Sequence, residues 1–493
     1  MTGTEITTSS RGGGLLAAAL MAGLLAALTA VLALAAPQRS FLHLATNLSN
    51  APERWSGFAD IGVSPDGDRV AVVWPEEYQG AGAPRGSVML RWASESTGSG
   101  WSSPMLVFPG DGDLCAAQAA VAVTGTTAHV AYITWDPCLS PEAQAIRYEW
   151  CSLQPGGSCD NQVTVLTSTL LGAGDPGFGW VDIALDAQGN PHFVYDYFRS
   201  EGSEDVGTVY YTWLEDGTSR PEERVSGSDR SGNGPAIAWS NGHVHVVWAE
   251  EPYGGSGNYE IHYRRRTSGS GWEADNVLSQ QGDTYPPRNP AVAAYSDTVF
   301  VVWDMGDDCQ EVGGEKVCTR FSLAYNYSLD GGANWLSEWH EVGTDGEMTQ
   351  DMIFSSTDAD DMWEYTRCLQ PTVALDGEGR PTVVWHVNQG SEDWPDYDVK
   401  YNEGLTVTQF GAVWSSKNGE FLSQRTGGQS GSPVVALAPV TSPHLHVAYL
   451  WSDMDEVGQP YGDWETYYDS NEYGSYPKVY LPLLFRNFVG GET

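Results

Sequence analysis

A short apolar run that ends in Trp or Tyr recurs seven times along the 493-residue chain. The seven runs are Val72-Val73-Trp74, Val130-Ala131-Tyr132, Phe193-Val194-Tyr195, Val246-Val247-Trp248, Val301-Val302-Trp303, Val383-Val384-Trp385 and Val447-Ala448-Tyr449. A second segment of small apolar residues, such as Val181-Asp182-Ile183-Ala184-Leu185, precedes each run. A repeated unit of this kind buries its apolar face only against further copies, so the chain must form a repeat architecture.

Turn signals between the two segments indicate that they are antiparallel strands. Pro65-Asp66-Gly67-Asp68 and Asp376-Gly377-Glu378-Gly379 supply the residues that tight hairpins use. A third strand, marked by a Tyr, and a fourth, ending in Val/Leu-Ser/Thr, follow in most units. Four antiparallel strands per repeat predict an all-β protein, a single β-propeller with seven four-stranded blades. Six blades are the alternative, if the irregular second or seventh unit is not a full blade.

The seventh unit lacks its own fourth strand. Leu42-His43-Leu44-Ala45-Thr46-Asn47-Leu48-Ser49 has the fourth-strand pattern but precedes the first unit. We therefore expect this N-terminal strand to pair into the last blade and close the ring, which would remove two exposed sheet edges.

The first residues of the chain resemble an export signal. Residues 15–36 are almost wholly apolar and end in Ala33-Leu34-Ala35-Ala36-Pro37, a small-residue cleavage pattern. Residues 1–36 are thus interpreted as a signal peptide, with an N-terminal membrane anchor as the alternative. Residues 41–470 form the predicted propeller and residues 471–493 a C-terminal tail. Either reading of the leader predicts a secreted or cell-surface protein.

Charge limits the classes of partner. The chain carries 64 acidic and 24 basic residues, which gives a formal net charge of −40. A polyanion repels nucleic acid and anionic membrane surfaces, so we expect no nucleic-acid partner and no membrane contact beyond the N-terminal segment. The 41% apolar and 12% aromatic content excludes a disordered acidic chain. An extracellular glycan or protein remains as the expected partner.

Seven cysteines in an exported chain favour disulfides. Two pairs bracket short Gly-containing segments, and a third pair is plausible by position; they are Cys151–Cys159, Cys309–Cys318 and Cys115–Cys138, which leaves Cys368 over. No Cys-x-x-Cys motif occurs, and no His lies at ligand spacing from a Cys pair, so we predict no metal site of that type. Calcium is the one cofactor that the acid clusters, such as Asp304/Asp307/Asp308, would suit, although none has the spacing of a dedicated calcium loop.

One segment carries a family resemblance. Ser328-Leu329-Asp330-Gly331-Gly332-Ala333-Asn334-Trp335 resembles the Asp box, S-x-D-x-G-x-x-W, of the sialidase-like (BNR-repeat) propellers. The resemblance implies that Ser328, Asp330, Gly332 and Trp335 have a structural role, bracing a hairpin and packing a Trp between strands. It covers about residues 41–470 and implies the fold more than an activity. The early Phe/Tyr-Arg-Ile-Pro motif of the catalytic sialidases is absent from the sequence.

Two carboxylates occupy one repeated position of the innermost strands. The seven residues at that position are Asp60, Ala120, Asp182, Ala236, Ala291, Thr372 and Val434. Asp60 and Asp182 are therefore the candidate catalytic residues, as a cation site or an acid/base pair. The alternative is that each Asp bonds to backbone amides near the channel.

Three arginines lie just upstream of innermost strands. If Arg54, Arg288 and Arg367 all reached the channel mouth, they could bind a sugar carboxylate in bidentate geometry; structural pairing with the abundant acids is the alternative. We expect an exported propeller that binds a glycan or protein at the channel mouth without catalysis. The alternative function is a sialidase-like glycoside hydrolase that uses these arginines as a clamp.

Overall fold

The structure is a computed structural model of the chain. It describes residues 46–471 apart from the segments 51–53, 79–85, 95–99, 111–113, 137–142, 169–176, 202–203, 229, 253–258, 280–286, 313–314, 337–366, 389–396, 409–410, 415–419, 423–427, 441–443 and 454–464. The predicted leader, the tail and Cys138 lie outside the described residues. In the described part of the chain, no helix is long and apolar enough to cross a membrane.

All regular structure in the described residues is β-strand, and the strands form seven antiparallel blades. A two-residue strand, β1 (Thr46–Asn47), precedes the first blade. Blade 1 consists of β2 (Arg54–Ser56), β3 (Asp60–Val63), β4 (Val70–Tyr78), β5 (Ser87–Ala93) and β6 (Met105–Phe108). Blade 2 consists of β7 (Cys115–Thr124), β8 (Thr127–Asp136), β9 (Ala143–Ser152) and β10 (Cys159–Ser168). Blade 3 consists of β11 (Gly177–Leu185), β12 (Pro191–Glu201), β13 (Glu204–Glu215), β14 (Thr218–Ser219) and β15 (Glu223–Arg224).

The remaining blades repeat this order. Blade 4 consists of β16 (Arg230–Ser240), β17 (His243–Pro252), β18 (Glu260–Thr267), β19 (Gly271–Trp272) and β20 (Asn276–Val277). Blade 5 consists of β21 (Pro287–Tyr295), β22 (Thr298–Val312) and β23 (Glu315–Ser328). Blade 6 consists of β24 (Arg367–Leu375), β25 (Pro381–Asn388), β26 (Tyr397–Thr408), β27 (Gly411–Trp414) and β28 (Glu420–Phe421). Blade 7 consists of β29 (Gly428–Leu437), β30 (Leu445–Asp453) and β31 (Glu465–Asn471).

The innermost strands form a closed ring. Going round it, β3, β7, β11, β16, β21, β24 and β29 each contact the next strand, and β29 contacts β3. The prediction of an all-β propeller with seven blades is confirmed, and the six-blade alternative is wrong because the second and seventh units each form a sheet of their own. Several outer edges differ from the prediction. In blades 3, 4 and 6 the fourth strand is split into two short strands that both pair with the third.

The hydrophobic core lies between the blades, in seven clusters that each join two neighbours. The repeated aromatic residue of the second strand is fully buried in every blade; the seven are Trp74, Tyr132, Tyr195, Trp248, Trp303, Trp385 and Tyr449. A buried aromatic side chain removes roughly 150–250 Å² from water, which makes it a large contributor to packing. The ring is therefore stabilised mainly by contacts between adjacent sheets.

The N-terminal strand lies at the edge of blade 7. Thr46 and Asn47 pair with Tyr468 and Tyr467 of β31. The Leu48 amide donates to the Thr466 carbonyl at 2.8 Å, and the Ser49 hydroxyl accepts from the Thr466 amide at 3.0 Å. Blade 7 thus obtains its fourth strand from residues that precede blade 1. Closure of the ring by this pairing stays a prediction.

The cysteines follow the hairpin interpretation where they are described. Cys151 and Cys159 form a disulfide at the β9–β10 hairpin. Cys309 and Cys318 are directly opposite each other on β22 and β23, and their side chains lie outside the described residues. Cys115 is also disulfide-bonded, and its predicted partner, Cys138, belongs to a segment that the structure does not describe.

Candidate functional site

A cavity of about 350 Å³ lies in the central channel. Residues from all seven blades line it, and in blades 2 to 7 it lies where the innermost strand changes register against the second strand. A bulge of this kind leaves a residue unpaired and bends the strand. The volume lies within the range of about 300–1,000 Å³ that small-molecule sites occupy. We call this volume the channel cavity.

Asp60 and Asp182 both line the channel cavity. They occupy equivalent register positions, opposite Val73 and Val194, and the blade between them has Ala120 there. Each carboxylate bonds the next blade around the ring. Asp60 Oδ2 accepts from the Val121 amide at 2.7 Å, and Asp182 Oδ2 accepts from the Ile237 amide at 2.9 Å.

These bonds agree with the alternative given by the sequence, in which each Asp bonds to backbone amides near the channel. Asp182 Oδ1 also accepts from the amide of its own neighbour, Ile183, at 2.7 Å. A strand edge that faces a channel has unpaired amides, and a carboxylate satisfies them well because it is an acceptor only. Both side chains are half-buried rather than enclosed, so a ligand in the channel cavity can still reach them.

Burial raises the pKa of both carboxyl groups. The pKa of Asp60 rises to about 7, first because of burial and then because of the negative charge of Asp182, against the lowering effect of its two backbone amides. The pKa of Asp182 rises to about 6, because burial outweighs the bonds from Ile237 and Ile183. The charge of Asp182 therefore influences Asp60 across the position of Ala120.

Two aromatic rings flank the carboxylates. Phe58 and Trp180 line the channel cavity, and their ring centroids are 6.3 Å apart. They are 42% and 37% exposed, although side chains of this size are usually more buried. Each ring precedes an Asp by two residues, so blades 1 and 3 present the same aromatic-x-Asp arrangement.

A glycine before each ring fits the backbone tightly against the second strand. A Cβ at Gly57 would lie 2.7 Å from Pro75 Cγ, and a Cβ at Gly179 would lie 2.8 Å from Phe198 Cε2. The amide of Trp180 donates to Asp196 Oδ1 at 2.6 Å. The backbone that carries Trp180 is thus fixed by close packing and by a buried carboxylate.

Two buried acids behind the cavity brace neighbouring blades. Asp196 Oδ2 accepts from the Gly234 amide of blade 4 at 2.9 Å, and Asp304 Oδ2 accepts from the Gln370 amide of blade 6 at 3.0 Å. Burial raises the pKa of each acid to about 6. Asn289 also donates to Asp304 Oδ2, at 2.7 Å, whereas Asp304 Oδ1 has no hydrogen-bond partner within the described residues.

The amides that these acids bind belong to strained positions. Gln370 has a φ of 51°, and the equivalent Asn289 and Ser432 have φ values of 48° and 47°. Each stands directly before a proline, where such a conformation is unfavourable. The equivalent residue of blade 4 is Gly234, which adopts its φ of 56° more easily. All four residues line the channel cavity, so part of its wall consists of backbone with a positive φ.

Of the three candidate arginines, only Arg288 has a described side chain, and it is not among the described lining residues of the channel cavity. Arg288 is exposed on β21, and its guanidinium carbon lies 5.7 Å from the ring centroid of Tyr259 in blade 4. Arg54 begins β2 and Arg367 begins β24, and their side chains lie outside the described residues. In the described wall, the charged residues are Asp60 and Asp182, without Lys, Arg or His.

The segment that resembles an Asp box lies at the opposite end of the strands. Ser328 Oγ accepts from the Gly332 amide at 2.9 Å, and Asp330 Oδ1 accepts from the Asn334 amide at 2.8 Å. Trp335 packs edge-on against Tyr263 of blade 4, with ring centroids 4.6 Å apart. The segment therefore braces its own turn and joins blades 5 and 4, away from the channel cavity.

Tyr263 also belongs to a buried polar group that we call the His245 cluster, formed by Ser240, His245 and Tyr263. His245 Nδ1 is 2.8 Å from the Tyr263 hydroxyl, and Nε2 is 3.0 Å from Ser240 Oγ. The same His–Tyr pairing occurs in blades 2, 3 and 7, as His129–Tyr148, His192–Tyr211 and His446–Tyr468. These pairs lie where the innermost strand ends and the second strand begins, so they are structural and repeat with the blade.

Metal sites receive no support from the described residues. Within them, no group of three or more His, Cys, Asp or Glu side chains could hold a metal ion. Of the acid cluster around Asp304, only Asp304 has a described side chain, and it is fully buried. The calcium prediction for the other acids of that cluster concerns side chains outside the description.

The comparisons with known proteins concern the fold alone. No protein-family model matches the sequence, and no curated protein matches it. A Trypanosoma rangeli sialidase in complex with the inhibitor DANA is similar at 12% identity and a TM-score of 0.41, over 74% of this chain. The chain spans 59% of the length of that sialidase. A subtype N11 neuraminidase-like protein of A/flat-faced bat/Peru/033/2010 (H18N11) is similar at 9% identity and a TM-score of 0.41, over 90% of this chain and 96% of its own.

Proposed function

We propose that this protein is an exported, non-catalytic β-propeller that binds a carbohydrate in the channel cavity. The observation that carries the proposal is the pair of exposed rings, Phe58 and Trp180, beside two half-buried carboxylates. Sugar rings present C–H groups on their faces and hydroxyl donors at their edges. Aromatic faces suit the first and carboxylate oxygens suit the second.

The bonding of Asp60 and Asp182 supports binding over catalysis. Each carboxylate is held by an amide of the adjacent blade at 2.9 Å or less. A group held in this way orients a ligand well, and both acids brace the ring at the same time. Apart from these carboxylates, the hydroxyl groups in the described wall are those of Thr372 and Ser432, and they belong to blades 6 and 7.

The alternative function, a sialidase-like hydrolase, requires a cluster of arginines around a sugar carboxylate. The described wall of the channel cavity contains two carboxylates instead. An anionic sugar would meet repulsion there, because like charges in a partly dry site disfavour each other. The proposal therefore places neutral or cationic sugars ahead of sialic acid.

A glycan array followed by titration calorimetry tests the proposal. Trp180→Ala should weaken binding of an array hit by about tenfold or more, since a stacking ring contributes on the order of 1–2 kcal/mol. Trp150→Ala is the matched control, because Trp150 is 36% exposed on β9 and does not line the cavity. Binding that survives Trp180→Ala and Phe58→Ala would contradict the proposed site.

A hydrolysis assay on the same samples separates the two functions. We expect no fluorophore release from a panel of fluorogenic sialosides. Release that is lost in Arg288→Ala would instead support the hydrolase with an arginine clamp.

A further inference from the structure

We propose that the sugar bound by the channel cavity is an amino sugar with a free ammonium group, held between Asp60, Asp182 and the rings of Phe58 and Trp180. This inference rests on the proposed function and names the class of ligand. Both charged residues among the described lining of the channel cavity are acids, so the wall favours a cationic ligand.

The hydrogen-bonding capacity of the carboxylates fits an ammonium group. Asp182 accepts one amide on each oxygen, from Ile183 at 2.7 Å and from Ile237 at 2.9 Å. A carboxylate has about four lone-pair sites, so each oxygen keeps room for one more donor. An ammonium group offers three donors and no acceptor, whereas an acetamido group offers one donor and an acceptor that the acids would repel.

The position of the two acids also fits a shared cation. They stand on either side of Ala120, which has only a methyl group as its side chain, and all three residues line the channel cavity. Because the charge of Asp182 disfavours the ionised form of Asp60, a cation between them would relieve that repulsion. Both acids would contribute to the affinity for the cation, so removal of either one would lower that affinity in part.

The rings contribute in the same direction. Phe58 and Trp180 expose about two fifths of their surfaces next to the acids, and their planes are tilted by 59°. Aromatic faces attract a cation within about 6 Å, and Trp is the strongest of them. They also provide an apolar surface for the sugar ring that carries the amine, which a free metal ion would not use.

Calorimetric titration of the full-length chain with two matched disaccharides tests the inference. One probe is a β-1,4-linked glucosamine disaccharide with free amines, and the other is its fully N-acetylated form. We expect the free amine to bind about tenfold tighter or more, as one charge-assisted hydrogen bond is worth roughly 1.5–3 kcal/mol. This measurement on the unaltered protein does not depend on whether any variant folds.

Variants then locate the effect. Asp60→Asn and Asp182→Asn should each lower affinity for the free amine by about tenfold and change affinity for the acetylated form by less than about threefold. Asp216→Asn is the control for net charge, because Asp216 is exposed in a turn at a φ of 52° that Asn also adopts. It should leave both affinities unchanged.

The outcomes distinguish the inference from the proposed function. Equal or tighter binding of the acetylated probe would overturn the inference and leave a carbohydrate site in the channel cavity. Trilysine that binds as tightly as the amino sugar, with the same loss in Asp182→Asn, would overturn it in favour of a basic peptide. Failure of both disaccharides and of every array glycan would overturn the proposed function itself.

Discussion

The two ends of the innermost strands both bury ionisable groups, but they do so with opposite chemistry. At the channel cavity, Asp60 and Asp182 accept hydrogen bonds from backbone amides, and burial raises their pKa values to about 7 and about 6. At the far end, His245 meets the hydroxyls of Tyr263 and Ser240, and burial lowers its pKa to about 3. A shifted pKa therefore does not by itself mark a ligand site. The difference lies in the open volume of the channel cavity and in the exposed rings of Phe58 and Trp180, which line it beside the two acids.

The two ends respond to pH in opposite directions. Folded Asp60 holds its proton up to a pH of about 7, whereas the unfolded group releases it near 3.8. The folded protein therefore loses stability through Asp60 as the pH rises between those two values. His245 is neutral when folded down to a pH of about 3, whereas the unfolded group takes a proton near 6.5. The folded protein therefore loses stability through His245 as the pH falls from 6.5 to about 3.

The substitution with the largest expected effect destabilises the far end and leaves the channel cavity unchanged. A Cβ at Gly332 would lie 1.8 Å from the Tyr263 hydroxyl, at a φ of 82°. Gly332→Ala should lower the free energy of unfolding by about 3 kcal/mol or more, through the clash and the backbone strain together. Urea denaturation measures it. Gly269→Ala is the control, because its φ is 78° with nothing within 4 Å, and it should cost only about 1 kcal/mol. Equal losses would show that Gly332 is not packed against Tyr263.

A second change removes the proton-binding group of the far end. Between pH 6.5 and pH 5, His245 should cost the protein about 2 kcal/mol, because only its unfolded form is protonated there. His245→Phe should therefore flatten the acid side of the stability curve by about that amount, although it loses two hydrogen bonds at pH 7. Denaturation at both pH values tests this. An unchanged acid slope would contradict the assignment of a neutral, buried His245.

The smallest effect has the opposite sign and sharpens the contrast. Asp60→Asn keeps the shape of the side chain and removes its proton equilibrium. We expect the variant to lose about 1 kcal/mol less than the parent protein between pH 6.5 and pH 8, since the folded parent still holds part of its proton over that range whereas the unfolded form has released it. Denaturation of both proteins at the two pH values gives the difference. If Asp60→Asn lost as much stability as the parent protein, Asp60 would already be ionised at pH 6.5.

The sequence is sufficient for the repeat because the repeat is local. The strand, turn and buried aromatic of each blade lie within a few tens of residues, so the period predicts the seven blades. It also predicts the shared position of Asp60 and Asp182, which the register confirms. The bonds that define the site join one blade to the next, and no period reports them. Asp196 reaches Gly234, and Asp304 reaches Gln370, 66 residues away.

The aromatic pair had a signal in the sequence that could have been used. Phe58 and Trp180 stand two residues before Asp60 and Asp182, each after a glycine. The parallel between the two segments shows that they are equivalent, but only their exposure distinguishes rings at a cavity from rings in a core. Arg288 illustrates the reverse case. Position upstream of a strand placed Arg288 near the mouth, yet its side chain lies against Tyr259 and outside the cavity wall.

The pairing of the N-terminal strand with β31 has a consequence for synthesis. Asn47 and the Tyr467 that it pairs with are 420 residues apart in the chain. Six blades can assemble from neighbouring segments as the polypeptide emerges, whereas blade 7 must wait until residues 465–471 have been made. Of the described strands, the first to be translated is thus among the last to find its partner, and until then the nascent chain carries an open edge at each side of an incomplete ring.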